Sequence, residues 1–296
     1  MAKVLITGGT GLIGQVLCKL LTDKGYEVAI ISRTKKTLSK YPVFHKSELS
    51  WALQGADYIV HLAGAGIADE AWTEKRKYII LKSRTSIVKK IFSHISQEKN
   101  QLKAFISSSA IGYYGMATTD NIFTENDPPS SDFLGTTCKH WEEAADEFIS
   151  LNIRTVKIRT GIVLSKTGGA LEKMSKPIKL GFGTALGSGN QYIPWIHIDD
   201  LCNMFLQAIE NENMQGAYNA VAPEHINNKN FTKSIAEQLN KKIWLRNVPA
   251  FLLKIFLGSR AQLVLQGSRI SAQKIISSGF QFKYTTAKAA LQNLFC

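Results

Sequence analysis

The sequence predicts a doubly wound α/β fold: a parallel sheet with helices on both faces, completed by a small α-rich C-terminal lobe. Three observations carry the prediction. Strand-like runs recur at Val4–Ile6, Glu27–Ile31, Asp57–Leu62, Lys103–Ile106 and Arg154–Ile158, the first of them apolar throughout, as a fully buried parallel strand is. Stretches with helical spacing alternate with them. The first run leads directly into a glycine-rich turn and then an amphipathic helix, the order that opens a βαβ unit.

The totals bound the answer. At 296 residues the chain can bury a full core and hold one large or two closely joined domains. An apolar content of 45% with 20% charged residues is ordinary for a globular chain. No window approaches the roughly 18 apolar residues of a membrane span. Pro249–Leu257 comes nearest late in the chain and is interrupted by Lys254. The N-terminus enters the first strand at once, which leaves no room for a signal peptide. Cys18, Cys138, Cys202 and Cys296 lie far apart without a CxxC, which argues against zinc or a disulfide framework and suits a reducing compartment. Cytoplasm is the expected location, and no metal is expected. The net charge of +13 suits solubility and anionic small molecules. Lys and Arg are spread along the chain with no aromatic-interleaved basic block, so nucleic acid is not an expected partner, and without a spanning window neither is a membrane. A homodimer is compatible with the sequence.

In the opening turn, Thr7 precedes Gly8, Gly9, Gly11 and Gly14, readable as GxGxxG from Gly9 or GxxGxxG from Gly8. Leu12 and Ile13 begin the helix, and Val16, Leu17, Leu20 and Leu21 continue its stripe. Backbone N–H groups beside glycine, aimed along a helix dipole, make a cradle for a dinucleotide pyrophosphate. Where an NAD site of this type has an acid about 20 residues further on, this chain has Ser32-Arg33-Thr34-Lys35-Lys36. A carboxylate would repel a 2′-phosphate, whereas a hydroxyl beside a guanidinium can bind one, so NADP(H) is expected rather than NAD.

Residues 37–56 are weakly patterned. The 57–62 strand ends in Ala63-Gly64-Ala65-Gly66, small enough for a flat ring to lie on the backbone, so Leu62, Ala63 and Gly64 should flank the adenosine half. His61, alone in an apolar run, is read as a satisfied core or strand-end residue. Trp72–Ile95 reads as a long helix in which Lys82-Ser83-Arg84 can reach the cofactor. Arg84 is either a phosphate or ribose contact or a surface cation.

The 103–106 strand runs into Ser107-Ser108-Ser109-Ala-Ile-Gly-Tyr113-Tyr114-Gly115. This segment resembles the catalytic-serine stretch of the extended short-chain dehydrogenase/reductases, whose phosphate turn also uses the GxxGxxG spacing. The resemblance places Ser107 on the cofactor side and implies that Ser109 polarises a substrate oxygen. It further implies a Tyr-x-x-x-Lys pair on the next helix to supply the proton as hydride moves. That helix, starting near Asp132, has no such pair, since Gly135 stands four residues before Lys139. Tyr78/Lys82 and Tyr284/Lys288 match the spacing but lie elsewhere, and are read as chance. The candidate proton donors are therefore Tyr113, Tyr114 and Cys138, with Lys139 beside them.

Cys138-x-x-Trp141-Glu142, the doubled tyrosine, Ser32-Arg33 and Tyr192–Leu201 resemble one branch of that group, the NAD-dependent-epimerase-like "epimerase family protein" type. The resemblance covers nearly the whole chain, including Gly267–Phe282, which is similar to the branch's small C-terminal module. It implies an NADP-binding, oxidoreductase-like protein, with Arg159–Leu164 near the nicotinamide.

Further on, glycine-rich residues 165–191 lack a sustained period and read as a substrate-side lid. In Pro194–Asp200, Trp195 and His197 are expected to face the cleft, and Asp199 and Asp200 to cap a helix Leu201–Glu210. A strand is expected at 216–221 and helices at 230–240, 249–257, 268–278 and 285–294. The expected division is a dinucleotide-binding Rossmann domain of residues 1–164, to which 192–215 return, and a substrate lobe of 165–191 and 216–296. The expected function is an NADP(H)-dependent oxidoreductase or epimerase-like enzyme acting on a small oxygen-bearing substrate. The alternative is a non-catalytic NADPH sensor or scaffold. Sugar-nucleotide epimerisation with retained NAD is disfavoured by Arg33.

Overall fold

The computed structural model describes residues 1–33, 40–97 and 101–296. Thr34, Lys35 and Lys36 lie outside the described residues. The strands are β1 Lys3–Thr7, β2 Glu27–Ser32, β3 Val43–His45, β4 Tyr58–His61, β5 Ala104–Ala110, β6 Ile122–Phe123, β7 Arg154–Thr160, β8 Ile162–Leu164, β9 Trp195–His197, β10 Gly216–Ala220 and β11 Arg269–Ile270. The α-helices are α1 Leu12–Asp23, α2 Leu49–Leu53, α3 Glu74–Ile95, α4 Phe133–Asp146, α5 Gly169–Lys179, α6 Ile198–Glu210, α7 Asn228–Gln238, α8 Ala250–Leu257, α9 Gln262–Leu265, α10 Gln273–Ser277 and α11 Ala287–Phe295.

Seven strands form one parallel sheet in the order β3-β2-β1-β4-β5-β7-β10. The chain winds outward from β1 in one direction and from β4 in the other, so the strand order reverses between them and opens a crevice at their C-terminal ends. Alternation along each strand divides the core. Val4, Ile6 and Ile106 pack with α1 and α6 on one face, while Leu5, Ile59 and Phe105 pack with α3 and α4 on the other. A third core, built from Leu164, Trp195, Phe231, Ile235 and Leu291, joins α7 and α11 in the lobe.

Helix starts follow local chemistry. Thr73 and Asp132 cap α3 and α4 by accepting from Arg76 N and Gly135 N. Four expectations change. The strand at 216–221 is β10, and it pairs with β7 in the main sheet instead of entering the lobe. Residues 165–191 contain α5, whose buried Leu171, Ser175 and Ile178 hold it against the core; Gly169 and Pro177 mask its period in sequence. Of the helix expected at 268–278, the first part is β11, drawn into a ladder with β6.

The fourth change concerns α6. Its N-cap is His197, whose Nδ1 accepts from Asp199 N at 3.1 Å. Asp200, fully buried, instead accepts Lys283 N at 2.8 Å and Tyr284 N at 3.0 Å, tying the C-terminal module to α6. Trp195 and His197 are buried rather than facing a cleft, with the His197 ring 3.9 Å from Tyr284. Asp200→Ala would orphan the buried Tyr284 N–H and the partly buried Lys283 N–H, and a loss on the order of 2 kcal/mol is expected. Thermal melting combined with amide exchange at residues 283 and 284 checks this; unchanged protection there would show that the clip carries no load.

Candidate functional site

The glycines of the opening turn have separate tasks. Gly8 has φ +76°, and a Cβ there would lie 2.8 Å from Ala63 N and 2.9 Å from Leu62 C. A Cβ on Gly14 would sit 2.4 Å from the Gly8 carbonyl oxygen and 2.6 Å from Gly9 Cα. Both therefore secure backbone-to-backbone packing. Gly9 packs on the Ile30 side chain, where a Cβ would come within 2.8 Å. Gly11 differs: a Cβ there would meet only the Gly8 carbonyl, at 3.3 Å. Gly11 is also the N-cap of α1 and has no side chain to offer the N–H groups of Leu12, Ile13 and Gly14. The GxxGxxG reading from Gly8 is the one that fits, with a turn glycine, an open glycine and a packing glycine in sequence.

A polar clamp holds this turn to the next strand end. Thr7 Oγ1 lies 2.6 Å from His61 Nδ1, and His61 Nε2 lies 2.9 Å from the Arg84 carbonyl oxygen. A carbonyl can only accept, so Nε2 carries the proton, and Nδ1 accepts from the Thr7 hydroxyl. That hydroxyl in turn accepts from Ala63 N at 3.4 Å. Burial holds the His61 imidazole neutral, with its pKa lowered to about 4. His61 is thus the satisfied strand-end residue expected.

Arg84, read from the sequence as a phosphate or ribose contact or a surface cation, is engaged with backbone carbonyls. Its guanidinium is largely buried, donates to Ala65 O at 3.1 Å and Ile80 O at 2.9 Å, and lies 5.0 Å from the Trp141 ring. Ser83 Oγ accepts from Ala65 N at 2.9 Å. Together they fix the backbone of Ala63–Ala65, where Gly64 leaves room for Arg84 beneath it. Leu62 N bonds Thr7 O at 3.0 Å, so the two strand ends stay in register above the crevice. At the end of β2, beside β1, Ser32 is half-buried and Arg33 is exposed.

On the other side of β1, one row crosses three strands: Ser109 of β5 pairs in register with Arg159 of β7, and Arg159 with Asn219 of β10. Glu142 of α4 covers the row. Ser109 Oγ donates to Glu142 Oε1 at 2.7 Å. Arg159 grips the same carboxylate with two bonds, Nε to Oε1 at 2.8 Å and Nη2 to Oε2 at 2.9 Å. Arg159 Nη1 also donates to the Tyr114 hydroxyl at 2.9 Å, which donates onward to Asn219 Oδ1 at 2.6 Å. None of these five residues is more than 6% exposed. Burial works against the guanidinium's charge, but the paired Glu142 outweighs it and holds Arg159's pKa above its usual value.

The structure places the remaining candidates around this network. The Tyr113 ring lies 3.5 Å from the Arg159 guanidinium carbon and is only partly buried; desolvation raises its phenol's pKa against the pull of that cation. Tyr114 has donated and accepted already, and burial raises its pKa. Cys138 is buried, its thiol pushed up to about 12 by desolvation and the Glu142 charge. Lys139 is exposed and pairs with Glu143 at 3.7 Å. The Ser107 and Ser108 hydroxyls donate to the carbonyls of Ser108 and Ser109. On α4, the side chains set against Gly112 of the serine segment are Leu134 and Cys138, one turn apart. A phenol and an ammonium at that spacing are what the usual Tyr-x-x-x-Lys pair would supply.

Sequence reasoning missed the Glu142–Arg159 pair and Asn219. A signal existed: Glu142 shares the inward stripe of Cys138, Trp141 and Ala145, and a carboxylate there needs a buried cation. Among the described residues, no group of three or more His, Cys, Asp or Glu side chains could hold a metal. No described helix is long and apolar enough to cross a membrane.

Sheet order, glycine turn and crevice together define a Rossmann-type protein of the NAD(P)-binding class. Residues 4–221 match the NAD-dependent epimerase/dehydratase family, and residues 248–294 match a domain of unknown function, DUF1731. The chain belongs to that epimerase/dehydratase family. An epimerase family protein of Bacillus subtilis (strain 168) is 35% identical over 302 residues, 99% of this chain and 97% of the relative. A crystal structure of a human epimerase family protein with NADPH is 30% identical, covers 99% of each chain and has a TM-score of 0.91. A nucleoside-diphosphate sugar epimerase from Corynebacterium glutamicum is 30% identical, with a TM-score of 0.81 over 99% of this chain and 58% of that one.

Gly14→Ala should cost about 1–3 kcal/mol in denaturant melts, because the added methyl meets backbone that cannot yield. Gly11→Ala should change stability by less than about 1 kcal/mol yet weaken dinucleotide binding by calorimetry; equal melting losses for both would refute the division of tasks.

The His61 clamp sets a pH dependence. Because the folded imidazole titrates near 4 and the unfolded one near 6.5, the unfolded chain binds the extra proton first. The clamp's stability is complete above about pH 6.5 and is lost as pH falls toward 4, by on the order of 3 kcal/mol. His61→Gln should flatten the melting profile between those limits, and an unchanged slope would exclude His61 as its source.

Proposed function

We propose that this protein binds NADP(H) and acts as an oxidoreductase or epimerase-like enzyme on a small oxygen-bearing substrate. The carrying observation is the turn itself: Gly8 and Gly14 leave no space for a Cβ, while Gly11 and the uncapped start of α1 face the crevice. The residues present fit a dinucleotide. Thr7, Gly8, Gly11, Leu12, Ile13 and Gly14 hold the pyrophosphate. Leu62, Ala63 and Gly64 carry the adenosine half, and Ser32 and Arg33 take the 2′-phosphate. The nicotinamide, when bound, supplies or accepts hydride.

The proton falls to Tyr113. It is the one candidate that is both partly open and set against a fixed guanidinium, which lowers the cost of a phenolate. Ser109, whose hydroxyl donates to Glu142, positions a substrate oxygen by accepting from it instead of donating to it. A second reading, an NADPH sensor or scaffold without turnover, is supported by α4, which carries no Tyr-x-x-x-Lys pair and sets Leu134 and Cys138 against Gly112.

Arg33→Asp should weaken NADPH binding by roughly 10- to 100-fold, the worth of a charge-assisted phosphate contact, and leave NADH binding unchanged. Equal affinity of the parent protein for both nucleotides would overturn the 2′-phosphate assignment. Tyr113→Phe should abolish NADPH turnover against a carbonyl panel while binding persists. Tight binding with no turnover by the parent protein would select the sensor.

A further inference from the structure

The cations of this chain are distributed along its length, but its acids are not. From Gln238 to Cys296 there are nine Lys and Arg residues and no Asp or Glu. Charge asymmetry of this kind marks a surface for an anionic partner. Within that stretch, residues 241–257 form the least covered part of the fold. α8 has no buried residue at all, and Phe251, Ile255 and Phe256 are 62%, 71% and 78% exposed. Phe251 and Ile255 are one turn apart and share a helix face, with Phe256 beside them.

The segment before α8 runs alongside the turn that follows α5. Trp244 Nε1 donates to Gly181 O at 3.1 Å, Thr184 Oγ1 to Leu245 O at 3.2 Å, and Val248 N to Ala185 O at 3.0 Å. This places exposed Leu180 and Phe182 next to exposed Trp244. Lys241, Lys242, Arg246 and Lys254 are interspersed and exposed, and no ion pair involves them among the described residues.

We propose that residues 241–257, with the Leu180–Phe182 turn, dock this protein on the surface of an anionic lipid bilayer. Exposed aromatic and aliphatic side chains mixed with exposed cations, and too short a run to span, are the features of an interfacial segment. Trp244, Phe251, Ile255 and Phe256 enter the headgroup boundary, and the four cations meet lipid phosphates. A nucleic acid would satisfy the charge but would offer no hydrocarbon to the aliphatic side chains. The expectation of no membrane partner considered only spanning segments, and this surface lies on a membrane without crossing it.

The full-length chain is sedimented with phosphatidylcholine vesicles, with or without 30% phosphatidylglycerol, a composition chosen for about one anionic lipid in three. Strong enrichment on anionic vesicles that declines with added salt is expected. Phe251→Ser/Phe256→Ser and Lys241→Glu/Lys242→Glu should each reduce binding by about tenfold with unchanged melting. Lys89→Glu/Lys90→Glu, on exposed positions of α3, should not. The proposal is overturned if anionic vesicles capture nothing, or if the α3 pair matters as much as the 241–242 pair. It is equally overturned if the Phe substitutions abolish only self-association by light scattering, or if mixed-sequence RNA binds and only the charge reversals affect it.

Discussion

Everything at the cleft depends on how closely two backbones approach where the sheet reverses. Between β1 and β4 the chain leaves in opposite directions, and the turn after β1 is pressed onto the end of β4 with under 3 Å available for a Cβ at Gly8. The same tightness recurs where α1 rises from the turn, at Gly14. Because the packing is backbone on backbone, it cannot relax by a rotamer change. The start of α1 is therefore held rigidly at the crevice, and its free N–H groups form a preorganised anion site.

The Thr7–His61–Arg84 clamp makes that rigidity conditional on a neutral imidazole. Its proton inventory leaves one arrangement: the hydroxyl donates to Nδ1, Nε2 donates to a carbonyl, and Ala63 N closes on the hydroxyl oxygen. Arg84 then spends its guanidinium on the Ala65 and Ile80 carbonyls. Through these bonds the cation fixes the backbone of the loop after β4.

At the other end of the cleft, the Ser109–Arg159–Asn219 row and Glu142 form a fully paired buried network. A buried ion pair is costly to desolvate, so its value lies in the single geometry it imposes. Here it fixes the direction of the Ser109 proton and sets a cation beside Tyr113. The family's fold is retained, with a buried ion pair beside the serine.

The sequence alone determined the parallel strands, the long helix over 72–95, the helix starting near Asp132 and the glycine turn, because periodicity and glycine spacing are properties of neighbouring residues. It also showed that the helix after the serines lacks a tyrosine–lysine pair. Tertiary structure decided which glycine spacing applies, since Gly8 and Gly9 differ in what lies beyond them: the backbone of Leu62 and Ala63 or the Ile30 side chain. It moved Asp200 from a helix cap to a clip 83 residues away, placed β10 in the sheet and revealed a helix behind Gly169 and Pro177. Glu142 and Arg159 met only there, because strand register and the crossover through α4 bring together side chains that no local pattern connects.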